Sequence, residues 1–174
     1  MHTRAKYTVL MLVFLFVGVL GWSIIGKYKR LQKLEATGFS IGERPMKTVE
    51  GTFLDLSDFV GKMPIMIIYF HSGCDLCRHE ISQINQNRKA FEPALLVFVS
   101  SEDRTDIEEF KQSFDWESEN SVYFVCDEDA WVASRFQVSK VPVSMIFGMD
   151  GQLVWRFEGP AKVASLLNHL PNSN

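Results

Sequence analysis

The chain has 174 residues, is 47% hydrophobic and 22% charged, and carries a net charge of -3. That length allows one globular domain of about 140 residues plus an appendage, large enough to bury its own core. The mild acidity leaves no electrostatic footprint for nucleic acid, and three cysteines are too few for a disulfide scaffold.

Tyr7 to Ile25 is an uncharged run dominated by Leu, Val, Phe and Ile. As a helix it spans roughly 28 Å, close to the hydrocarbon thickness of a bilayer. A cleaved signal peptide would have a shorter apolar core and an Ala-x-Ala-like site, which is missing before Lys27. The expectation is an uncleaved single-span anchor. Arg4 and Lys6 precede the span, whereas Lys27, Lys29, Arg30 and Lys33 follow it. A naive positive-inside count therefore favours a cytoplasmic domain, against the basic N-terminal tail. The division expected is an anchor and juxtamembrane helix over 1–36, a tether over 37–46 rich in turn residues, and a folded domain over 47–174.

Within the domain, Thr48–Leu54 reads as a hairpin turning at Glu50-Gly51, and Leu56–Lys62 as a short helical turn closed by Gly61. Pro64–His71 reads as a strand, followed by a helix from Cys74 to Phe91. Ala94–Ser100 is a continuous apolar run, the pattern of a buried parallel strand. A helix over Arg104–Phe114, a strand over Ser121–Cys126 and a helix over Glu128–Phe136 come next. Val141–Phe147 and Gln152–Glu158 form a hairpin about Met149-Asp150-Gly151, and Pro160 opens a final amphipathic helix. This order specifies an α/β sandwich with a mixed central sheet. Sites in such sheets lie at the carboxyl ends of the parallel strands.

Cys74 lies just past the end of its strand, and Cys77 follows three residues later. Unpaired N–H groups and the partial positive charge at a helix N-terminus stabilise a thiolate there. A second thiol one turn on can attack a mixed disulfide formed at the first. Cys-x-x-Cys also opens zinc sites, but Cys126, His71, His79 and His169 offer no matched second pair. His71 and His79 read first as polar helix-edge residues. Cys126 ends a strand expected at the sheet edge, two strands from Cys74. A step of about 10 Å is too long for a disulfide, so a buried, inert thiol is expected.

The segments GTFLDLSDFVGK, YFHSGCDLCRHE and VSKVPVSMIFGMDGQLVWRFEG, in that order, resemble the membrane-anchored TlpA-like (redoxin) thiol–disulfide oxidoreductases of the thioredoxin-like fold. The resemblance covers about Met46 to Leu170. It implies a three-layer sandwich, Cys74 as the attacking cysteine and Cys77 as the resolving one. It implies that Pro142 is a cis-proline beside the dithiol, with the backbone of Val141 free to pair with an incoming peptide; the plain reading is an ordinary trans proline. Glu80 matches a glutamate common in thiol-reducing members, able to exchange a proton with the resolving thiol; the plain reading is a solvated helix acid.

The sequence departs from the pattern at three places. Gly73 stands where a tryptophan is usual, with Phe70 keeping an aromatic three positions earlier as a binding residue. Ile68 replaces thioredoxin's buried aspartate, and Asp75-Leu76 lacks the familiar proline. Asp75 favours the disulfide form while the helix dipole, Arg78 and His79 oppose it, each by about 1 kcal/mol or less. The balance leans to a reductase.

The expected function is therefore a membrane-tethered thiol–disulfide oxidoreductase with no cofactor and no metal. It would act on a client protein bearing a disulfide or thiols, and be recharged by an upstream thiol electron donor. It would be held in the lipid bilayer by residues 7–25, single-pass, with the domain on the extracytoplasmic (periplasmic) side. Two alternatives remain: a peroxiredoxin-like thiol peroxidase, although Phe70 to Gly73 hold neither the proline nor the threonine of that motif, and a Sco-type copper module, whose cysteines are spaced by three residues rather than two.

Overall fold

The computed structural model describes residues 41, 44–114, 116 and 121–171. The expected anchor over 7–25 lies outside them. Among the described residues, no helix is long and apolar enough to cross a membrane.

Seven strands form one mixed sheet: β1 (Met46–Thr48), β2 (Phe53–Leu54), β3 (Ile65–Tyr69), β4 (Leu95–Ser100), β5 (Val122–Cys126), β6 (Val143–Phe147) and β7 (Leu153–Glu158). Their spatial order is β2-β1-β5-β4-β3-β6-β7. β3, β4 and β5 run parallel, and β1, β6 and β7 join antiparallel. Every residue of β3 and β4 is buried. These central strands are covered on both faces, which is why they read as unbroken apolar runs.

Among the described residues, four α-helices flank the sheet: α1 (Asp75–Gln86), α2 (Arg104–Gln112), α3 (Trp131–Arg135) and α4 (Val163–His169). Because strand side chains alternate, Met66, Ile68, Phe98, Phe124 and Ile146 share one face. There they form one core with Ile81 and Ile84 of α1, Ile107 and Phe110 of α2, and Leu166 of α4. The opposite face meets the 3-10 turn Leu56–Phe59, with Phe59 against Tyr123, and α3, with Phe136 edge-on to Phe147 at 5.7 Å. This is the expected three-layer, thioredoxin-like sandwich. Ile41 and Met46 are buried with the domain.

Several boundaries differ from the sequence reading, each for a local reason. The helix after Cys74 stops at Gln86 instead of running to Phe91. Asn87 leaves the helical region (φ -109, ψ 19) and its side chain donates to the Gln83 carbonyl at 2.8 Å. That local bond competes with the helix, and only a 3-10 turn, Arg88–Phe91, follows. α3 begins at Trp131 because Ala130 is left-handed (φ 51). Its first N–H groups, at Val132 and Ala133, are taken by the buried Asp127 carboxylate, which also accepts the Tyr69 hydroxyl at 2.9 Å. Pro160 does not open α4, since Lys162, its cap, is extended. β5 is not an edge strand: the hairpin turning at Gly51 (φ 84) lays β1 against it, pairing Lys47 with Cys126 and leaving β2 outermost.

Candidate active site: the dithiol at the end of β3

β3 delivers the chain to the sheet's carboxyl edge, and His71-Ser72-Gly73 turns it into α1. Cys74 is the N-cap residue: its backbone is extended (φ -94, ψ 113) and its Sγ accepts the Cys77 N–H at 3.3 Å. The Cys74 N–H donates to the His71 carbonyl at 3.0 Å, closing the turn. Cys74 is partly exposed, whereas Cys77 is wholly buried, and both are free thiols. Burial, then the neighbouring Cys74 and Glu80, push the Cys77 thiol up to about 12. At neutral pH Cys77 is thus protonated and inward-facing, and needs a base before it can attack.

Glu80 lies one turn along α1, near enough for its charge to help raise the Cys77 thiol. It is buried, not a solvated helix acid, and Ser144 of β6 donates its hydroxyl to Oε1 at 2.5 Å. The Ala161 N–H also faces the carboxyl. Burial outweighs both contacts and raises the acid to about 7. A carboxyl poised there takes or gives a proton readily at physiological pH.

Pro142 is buried and follows a cis Val141–Pro142 bond, one residue before β6. Its carbonyl accepts the Gly159 N–H at 2.8 Å, and Val143 pairs with Tyr69, the last residue of β3. Val141 is half-buried against the core at the sheet edge that carries Cys74. Phe70 needs correction as a binding residue. Its ring is 1% exposed and packs on Phe110 at 4.6 Å and Phe124 at 6.2 Å, so it serves the core.

Glu102 was not singled out in the sequence, yet it organises the turn before Cys74. Its carboxylate accepts the Ser72 N–H at 2.7 Å, the Ser72 hydroxyl at 2.5 Å and the Ser100 hydroxyl at 2.8 Å. Burial pushes its pKa up, but these hydrogen bonds, with the nearby His71, outweigh it and hold the carboxyl below the usual glutamate range. His71 Nδ1 lies 3.0 Å from the Gly73 N and 3.2 Å from Glu102 Oε1, so the ring sits between the turn and the carboxylate. Only the acidic residue two places past a strand end hinted at this, a weak signal without the fold.

Cys126 is buried between Lys47 of β1 and Ser100 of β4, and burial raises its thiol. Among the described residues, no cluster of three or more His, Cys, Asp or Glu side chains is arranged to hold a metal ion.

Three solved structures share this architecture. A secreted disulfide oxidoreductase of Mycobacterium tuberculosis, homologous to E. coli DsbE, is 17% identical over 73% of this chain and 93% of its own, with TM-score 0.63. StoA of Bacillus subtilis is 18% identical over 72% and 94%, with TM-score 0.60. Peroxiredoxin Q of Xanthomonas campestris, in a mutant form, is 21% identical over 74% and 87%, with TM-score 0.59. No curated protein is significantly similar to the chain in sequence. The sequence pattern of the AhpC/TSA family matches residues 35–156. With that match running from the segment before β1 into β7 and enclosing Cys74, Cys77 and Glu80, the chain belongs to the AhpC/TSA (redoxin) family and is an oxidoreductase enzyme of the thioredoxin-like fold.

Proposed function

We propose that the protein is a membrane-tethered protein-disulfide reductase. The observation that carries this reading is the unequal dithiol: a reachable Cys74 capping α1, and a sealed, protonated Cys77 beside a carboxyl that titrates near 7. The thiolate of Cys74 attacks a client disulfide, forming a Cys74–client bond and releasing one client sulfur as thiolate. Glu80 takes the Cys77 proton. The Cys77 sulfur then attacks Cys74, closing the Cys74–Cys77 disulfide and expelling the second client sulfur, so two electrons pass to the client. An upstream thiol protein returns them by the reverse sequence. Asp75 in the first turn of α1 opposes a thiolate and supports the reducing direction. The apolar run over 7–25 supports a single-pass tether, with the domain on the extracytoplasmic side.

The test is a Cys77→Ala full-length chain expressed in cells and recovered under non-reducing conditions. A client held through Cys74 is expected, released by dithiothreitol and missing from the Cys74→Ala, Cys77→Ala double variant. No thiol-labile partner would overturn the reading. A second reading, thiol peroxidase, is favoured by the family and by the likeness to peroxiredoxin Q; rapid peroxide consumption by the reduced chain would establish it.

A further inference from the structure

We propose that Ser144 is a positioning residue that fixes which oxygen of Glu80 carries the proton exchanged with Cys77; this rests on the reductase reading above. Ser144 is the second residue of β6, fully buried in an otherwise apolar strand, VSMIF. A hydroxyl there costs stability unless a hydrogen bond satisfies it. Its partner is a carboxyl oxygen of another element altogether, Glu80 Oε1 on α1, 64 residues away in sequence.

The geometry makes the two carboxyl oxygens unequal. Oε1 accepts the Ser144 hydroxyl, while Oε2 is buried with no partner at hydrogen-bond geometry, the Ala161 N–H facing the carboxyl without closing a bond to that oxygen. The hydroxyl proton already occupies the Oε1 side, so an arriving proton is seated on Oε2. In the resolving step the Cys77 S–H bond breaks and an Oε2–H bond forms. The freed sulfur attacks Cys74, the Cys74–client bond breaks, and the client sulfur leaves with the electron pair. Ser144 neither gains nor loses a proton overall. Without it the carboxyl can rotate, its ionised form loses a donor, and the base becomes harder to ionise.

The experiment follows closure of the Cys74–Cys77 disulfide from a Cys74–glutathione mixed disulfide in the full-length chain, as a function of pH, by stopped flow. The wild-type profile is expected to break near the Glu80 value of about 7. Glu80→Gln should abolish that break, and a Glu80→Gln profile that keeps it would sink the proton-exchange reading itself. With that reading intact, Ser144→Ala should move the break up by about one pH unit and slow closure about fivefold at pH 7. Ser144→Thr should restore both. A Ser144→Ala profile matching wild type would overturn the proposal, leaving Ser144 a packing residue. Should that variant not fold, Ser144→Thr and Ser144→Val, which have nearly equal volume, take its place: the break must be higher in Val than in Thr.

Discussion

Glu102 grips Ser72 twice, through the backbone N–H at 2.7 Å and the hydroxyl at 2.5 Å, although they lie 30 residues apart. The grip ties the end of β4 to the turn that presents Cys74. Charged hydrogen bonds of this kind contribute about 1.5–3 kcal/mol each when a partner is lost. Glu102→Ala is therefore expected to lower stability by about 2–3 kcal/mol in urea unfolding. It should also slow Cys74 exchange with a disulfide peptide. Glu102→Gln, which keeps the acceptor oxygen, should lie between Glu102→Ala and wild type. Wild-type stability in Glu102→Ala would show that the grip is idle.

Glu80 sets the stability profile across mildly acidic pH. Its folded value, about 7, stands above its ordinary value of 4.5. The folded protein therefore holds more protons than the unfolded chain between these two values, and stability falls as pH rises through that window. The benefit is complete below 4.5 and gone above 7. At about 1.4 kcal/mol per unit, the loss approaches about 3 kcal/mol. Glu80→Gln cannot ionise, so its stability should gain on that of wild type over this interval. Parallel urea midpoints from pH 4.5 to 8 would contradict this assignment.

The three thiols should react in a set order. Cys74 is partly exposed, Cys77 is fully buried, and Cys126 is nearly so. Iodoacetamide at pH 7.5, followed by peptide mass analysis, should label Cys74 at least about tenfold faster than either of the others, since accessible thiolate governs the rate. Denaturation should equalise them. Cys126→Ala should leave disulfide exchange unchanged while costing about 1 kcal/mol of folding stability. A fall in exchange on that substitution would draw Cys126 into the chemistry.

Peroxide turnover separates the two readings of this site. The segment before Cys74 is Phe70-His71-Ser72-Gly73, and Glu102 occupies its hydrogen bonds. The reduced chain is expected to consume hydrogen peroxide no more than about tenfold faster than an unassisted thiolate. Rapid turnover coupled to a thiol donor would move the protein to the peroxidase reading.

Much of this site could be read before the fold was known. An apolar β run ending in a small turn marks where β3 hands over to α1 and sets the two cysteines at the helix start, but the cap geometry of Cys74 and the burial of Cys77 came only with the fold. Asn87 was harder, because a side chain that breaks a helix by bonding a carbonyl four residues back looks in sequence like one more polar helix residue. Phe70 misled for a related reason: strand alternation turns it inward, towards helix α2, whose packing the sequence does not place. Ile68 marks the absence of an acid on β3 and the resemblance pointed to Glu80 on α1 instead, but nothing local says that Ser144 of β6, paired with Ile68, meets its carboxyl. Long-range partners of buried polar groups emerge only from topology.

The concealment of Cys77 has a kinetic corollary. On the reductase reading proposed above, client and electron donor both dock at Cys74, the sulfur that reaches the surface, so their visits are mutually exclusive. Turnover on that reading alternates between two half-reactions on a single doorway, giving parallel lines in double-reciprocal plots while both visitors are dilute and upward curvature once either is in surplus.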